Sequence, residues 1–148
     1  GLLYWQLGLY ARARSHLERA AQISRAANDA TGLAYCLESL GRVCYELGDL
    51  ERAQADYEAA LEAHPTRMSA WLGLAAAQHR QGAPYEGALE HVRQLTPVFF
   101  RQWQRETADL GAGQQLERGL AMLLGNRGSD FITWRTLDGT FHGENAVR

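Results

Sequence analysis

The side chains best suited to chemistry are His64, His79 and His91, the thiols of Cys36 and Cys44, and the pair Ser129-Asp130. A metal centre needs three or four ligands at short, set spacings, and neither the histidines nor the cysteines show them. The two cysteines are eight positions apart on one expected helix. That puts their Cα atoms about 12 Å apart, too far for a disulfide. Both read as small core residues, and a reducing compartment, the cytoplasm, is expected. His64 stands just before Pro65, an ordinary loop position, and Ser129-Asp130 reads as a turn or cap. The run Gly111-Ala112-Gly113-Gln114-Gln115-Leu116 brushes against a glycine-rich nucleotide fingerprint. No strand precedes it, so it reads as a break between helices. With no metalloprotease helix, no phosphate loop and no convergence of acids and bases, no catalysis, cofactor or metal is expected.

Bulk composition narrows the choice further. A net charge of −2 argues against a general polyanion binder, so no direct nucleic-acid binding is expected. Apolar residues make up 46% of the chain, enough for a core. No apolar run approaches the ~20 residues of a membrane span. All fifteen basic residues are arginine, which reads as the codon preference of a GC-rich, bacterial genome. Charge is uneven along the chain. Residues 34–65 carry seven acids against Arg42 and Arg52, and residues 66–105 carry five arginines against Glu86 and Glu90. Neighbouring units of opposite sign attract when stacked.

The elements that hold these residues announce themselves by repetition. Residues 7–22 and 47–62 share Leu7/Leu47, Gly8/Gly48, Arg12/Arg52, Ala13/Ala53, Glu18/Glu58 and Ala20/Ala60, offset by forty. Helices are expected at about 1–7, 9–27, 32–47, 50–63, 66–81, 84–95, 97–110 and 114–124, with turns at Leu7-Gly8, Asn28-Asp29, Gly48-Asp49 and Gly82. Thr96 is the expected N-cap before Pro97. Ala53, Tyr57 and Ala60 form the buried stripe of their helix, with Gln54 and Glu58 facing solvent. Only Gly1–Gln6 stand ahead of Leu7-Gly8, so the first helix is short. A piece of a longer protein, with a capping helix upstream, is expected. In the last stretch, Ile132, Trp134 and Asp138-Gly139 suggest a short β-hairpin within 129–142.

Leu40-Gly41, Cys44, Ala53, Tyr57, Ala60 and Pro65 fall at the spacing of a helix-turn-helix repeat. On these residues the chain resembles the tetratricopeptide repeat family, strongly over 34–65, fairly over 1–27 and loosely over 66–95. The resemblance implies an all-α, right-handed superhelical solenoid of antiparallel helix pairs. Its units would be about 1–30, 31–65 and 66–96, with a degenerate capping pair at 97–126 and a tail at 127–148. It also implies a concave groove, lined by the first helix of each pair, that binds a peptide or a partner protein. The positions so implied are Leu2, Trp5 and Gln6 in the first unit; Tyr35, Glu38, Arg42, Tyr45 and Glu46 in the second; and Leu72, Ala76, His79 and Arg80 in the third. Trp5 is equally suited to covering the open end of the array, and Tyr35 to lying between helices. The slots at which some members clamp an acidic C-terminus hold Glu38, Arg42, Ser69 and Leu72, so that clamp is absent.

Three functions are compatible with this reading. The first is a protein-interaction scaffold. The second is a regulatory or sensor segment of a multidomain bacterial transcription activator, suggested by the short first unit. Trp134-Arg135-Thr136-Leu137-Asp138-Gly139 also weakly resembles the first strand of a winged DNA-binding domain. The third is a self-associating array whose contact would be the open end at Leu2, Leu3, Tyr4 and Trp5.

Overall fold

A computed structural model of the chain describes residues 2–124, with side chains for residues 8–123. Seven helices follow one another: α1 (Leu2–Ala26), α2 (Ala30–Leu47), α3 (Leu50–Ala63), α4 (Met68–Arg80), α5 (Glu86–Leu95), α6 (Pro97–Glu106) and α7 (Ala112–Leu124). No strand occurs among the described residues. The expected hairpin and the tail lie outside them. Each of α1 to α5 packs on the next in sequence, giving a stack of antiparallel helices.

The turns repeat one piece of chemistry. At the end of α2, Gly48 adopts φ 86°. Its N–H donates to the Tyr45 carbonyl at 3.1 Å, and the Asp49 N–H donates to the Cys44 carbonyl at 2.9 Å. That paired closure is the Schellman arrangement. Asp49 then caps α3, its side chain accepting from the Arg52 N–H at 3.3 Å. Asn28-Asp29 repeats the device, with Asn28 at φ 56° and Asp29 capping α2 through the Gly32 N–H at 2.9 Å. Gly82-Ala83 has the same closure at φ 76°, but alanine cannot cap. The chain therefore restarts only at Glu86, past Pro84, rather than at 84.

The same chemistry corrects the expected break at Leu7-Gly8. α1 runs unbroken through it. Gly8 is followed by Leu9, which has no side chain to cap a new helix, and its φ is not positive. Thr96 stands at the N-cap of α6 ahead of Pro97, as expected, but without a side-chain cap bond: its hydroxyl donates back to the Val92 carbonyl at 3.0 Å. α6 ends at Glu106, short of 110, and α7 begins at Ala112, ahead of 114. The Thr107 hydroxyl donates to the Trp103 carbonyl at 2.7 Å, and the Gln115 amide donates to the Thr107 carbonyl at 2.8 Å, which ties the two helices across the turn.

The core is built around Tyr57. Its ring, wholly buried, lies between Gly41 of α2 and Gly73 of α4. A Cβ at Gly73 would sit 2.4 Å from Tyr57 Cε1, and one at Gly41 would sit 3.0 Å from Cδ1. Ala53 and Ala60 flank it, both fully buried, so the expected stripe forms. Glu58 is exposed, while Gln54 is half-buried and accepts from the Gln81 amide at 2.7 Å. Cys36 and Cys44 are buried free thiols. Burial pushes the Cys44 thiol up to about 11, and its Sγ donates to Asp56 Oδ2 at 3.6 Å. Burial also raises the Asp56 carboxyl, opposed by Arg52, whose Nε lies 3.5 Å away. Arg52 reaches Glu18 of α1 as well, at 3.2 Å, joining α1 to α3.

Two substitutions test this account. A Cβ at Gly8 meets nothing within 4 Å, so Gly8→Ala should raise unfolding stability by up to about 1 kcal/mol in urea denaturation. A left-handed turn there would make the same change destabilising. Gly73→Ala, which drives a methyl into the Tyr57 ring, should cost about 1–3 kcal/mol.

Candidate protein-binding cleft

α4 is the central helix. Ala70, Leu72, Gly73, Leu74, Ala75, Ala76 and Ala77 are all buried. A helix apolar on every side must be covered on every side, and here α2, α3, α5 and α7 do it. α7 therefore folds back along α4 instead of simply extending the stack. A Cβ on Gly119 would lie 3.1 Å from Leu72 Cδ2 and 2.8 Å from Trp103 Nε1, so only glycine allows this approach. Near the other end, a Cβ on Gly113 would meet His79 Cε1 at 3.4 Å. α7 thus runs antiparallel to α4. Trp103 anchors α6 beneath it, its indole N–H donating to the Gln115 carbonyl at 2.7 Å and its ring packed by Phe99 and Phe100.

Between the last turns of α2 and α4 and the exposed side of α7 a cleft of about 760 Å³ remains open. Tyr45, Ala76, His79 and Arg80 line one side of it. Leu110, Leu116, Glu117, Arg118 and Ala121 line the other, with Gly113 and Gln114 at the end. The Tyr45 hydroxyl donates to Glu117 Oε2, which pins α7 to α2. Burial, and then that carboxylate, raise the tyrosine pKa. The Arg80 guanidinium lies over the Tyr45 ring, Cζ 4.8 Å from its centroid, and Nη1 points to the Tyr45 carbonyl at 3.5 Å. His79 sets its ring edge-on to Tyr85 at 5.1 Å.

The other expected groove positions fall elsewhere. Leu72 is fully buried under α7 and offers no surface, which corrects its assignment to the groove. Tyr35 is exposed, with Arg67 stacked over it at 5.6 Å. Glu38 pairs with the same Arg67. Arg42 Nε lies 3.1 Å from Glu46 Oε2, without the alignment of a hydrogen bond. Tyr35, Glu38, Arg42 and Glu46 do not line the cleft. Trp5 and Gln6, and the open-end contact at Leu2, Leu3, Tyr4 and Trp5, fall outside the residues whose side chains are described.

Sequence reasoning missed the α7 side of the cleft: it assigned no groove residue to 97–126. One signal was available. A groove-lining helix carries polar residues on its open face, as α2 does with Glu38, Arg42 and Glu46, whereas residues 70–77 of α4 carry only Trp71 as a polar handle. That indole is spent, donating to the Pro65 carbonyl at 2.8 Å and stacking on His91 at 3.7 Å. No group of three His, Cys, Asp or Glu that could hold a metal ion occurs among the described residues, and no described helix is long and apolar enough to cross a membrane.

The helix pairs, their turn chemistry and the Gly-Tyr-Gly packing define an interaction repeat, and comparison with known families agrees. Two tetratricopeptide repeat models match the chain, one over residues 1–66 and the other over 38–97. The chain belongs to the tetratricopeptide repeat family, whose repeats generally mediate protein–protein interaction and are typically non-catalytic. No curated protein and no solved structure matches it.

The link between α7 and α2 is open to measurement. Tyr45→Phe should cost about 0.5–1.5 kcal/mol of stability, the net worth of one hydrogen bond to a carboxylate that water can reach. In a double-mutant cycle with Glu117→Ala, which removes the acceptor, the two should couple by about 0.5–1 kcal/mol. A coupling near zero would mean the hydroxyl–carboxylate bond does not hold α7 in place.

Proposed function

We propose that this chain is a protein-interaction scaffold that binds a segment of a partner protein in the cleft between α2, α4 and α7. One observation carries this reading. Of the groove positions implied by the repeat, Tyr45, Ala76, His79 and Arg80 converge on a single open cleft. Its volume of about 760 Å³ accommodates a few side chains of an extended segment. Its make-up, an aromatic ring, two arginines and apolar walls, is that of a protein-binding surface. The neighbouring α2 face with Tyr35, Glu38, Arg42 and Glu46 continues from it along the same helix and would carry the rest of a longer partner.

Selection of phage-displayed random peptides on the full chain tests the proposal. Selected peptides should lose at least about tenfold in affinity with Ala121→Trp, which fills the cleft from an exposed position of α7. They should bind Glu62→Ala, an exposed change on α3, as they bind the native chain. Peptides indifferent to Ala121→Trp would place the binding surface elsewhere.

A further inference from the structure

The cleft has a charge pattern of its own. Two arginines line it, Arg80 from the last turn of α4 and Arg118 from α7. Neither makes an ion pair among the described residues. The nearby acids are already engaged. Glu117 receives the Tyr45 hydroxyl, and Glu46 lies against Arg42 at 3.1 Å. Arg80 is also held in place, its plane over the Tyr45 ring and one nitrogen turned to a carbonyl. A guanidinium so fixed keeps its other N–H groups for a planar, two-oxygen acceptor and loses little freedom in meeting one.

Building on the binding proposed for this cleft, we infer that it recognises a carboxylate side chain set beside an apolar one in an extended segment of the partner protein. Arg80 and Arg118 receive the carboxylate, and Leu110 receives its apolar neighbour over a floor formed by the nearly buried Leu116 and Ala76. The count of charge selects the carboxylate. Two arginines and Glu117, leaving His79 aside, give the lining one net positive charge, which a single carboxylate balances. The Glu117 carboxylate in the same cleft opposes a dianion such as a phosphoryl group. The recognised acid is a side chain within the segment, which continues from the cleft along the neighbouring face of α2.

Three matched arrays of decapeptides test this, acetylated and amidated to remove terminal charges. Their flanks are randomised around a central Glu-Leu, Gln-Leu or Lys-Leu. The full chain should bind the Glu-Leu array about 5- to 20-fold more strongly than the Gln-Leu array, and the Lys-Leu array least. The preference should shrink as salt is raised from about 0.05 M to 0.5 M. It should disappear in Arg80→Gln/Arg118→Gln, and since both sites are exposed, unfolding of that variant is followed alongside. Equal binding of the Glu-Leu and Gln-Leu arrays, with both lost in Ala121→Trp, would overturn the carboxylate assignment and leave the binding cleft standing. A preference that survives the double arginine substitution would overturn the roles of Arg80 and Arg118. Absence of signal from every array would overturn the cleft as a binding site, and this inference with it.

Discussion

The packing of the Tyr57 ring against Gly41 and Gly73 is the contact on which the other arrangements depend. One aromatic side chain from α3 fills the space between α2 and α4, and it touches both where neither carries a side chain. It sets how near the two groove-lining helices come. That spacing decides whether Arg80 of α4 can reach over Tyr45 of α2, and whether Arg67 can pair with Glu38 and stack on Tyr35. The cleft is therefore shaped from behind, by a residue that does not line it.

From that spacing the position of α7 follows. α4 is left with an apolar face toward the inside of the array, and water is a poor cover for Leu72 and Ala76. α7 supplies the cover, and glycine at 119 lets it lie close enough to do so. Because α7 also receives the Tyr45 hydroxyl on Glu117, it touches two units at once. Covering α4 and forming the cleft are the same event. The side of α7 that buries Leu116 and Leu120 holds the array together, while its exposed side, with Glu117, Arg118 and Ala121, becomes a cleft wall.

Much of this was legible in the sequence, for reasons that are local. Asp29 and Asp49 cap helices through their own side chains, and Gly48 adopts a conformation that few residues share, so those turns could be placed from residue type alone. The Ala53–Tyr57–Ala60 stripe was likewise readable, since a small-large-small pattern serves a single nearby contact. Gly8 misled because a glycine permits a turn without requiring one; the missing cap at Leu9 was the deciding signal. How α7 lies along α4 was not legible, because its position depends on a surface of α4 some forty residues earlier in the chain. No local pattern within 112–124 specifies that surface. Leu72 looked like a groove residue by repeat position and proved to be core for the same reason.

Hydrogen–deuterium exchange on the full chain, with and without a cleft-selected peptide, locates the bound segment. If a partner segment lies between α2, α4 and α7, protection should gather at the C-terminal turns of α2 and α4 and along α7, around Tyr45, Arg80 and Glu117. Protection confined to the far face, on α3 and α5, with α7 unchanged, would contradict the account.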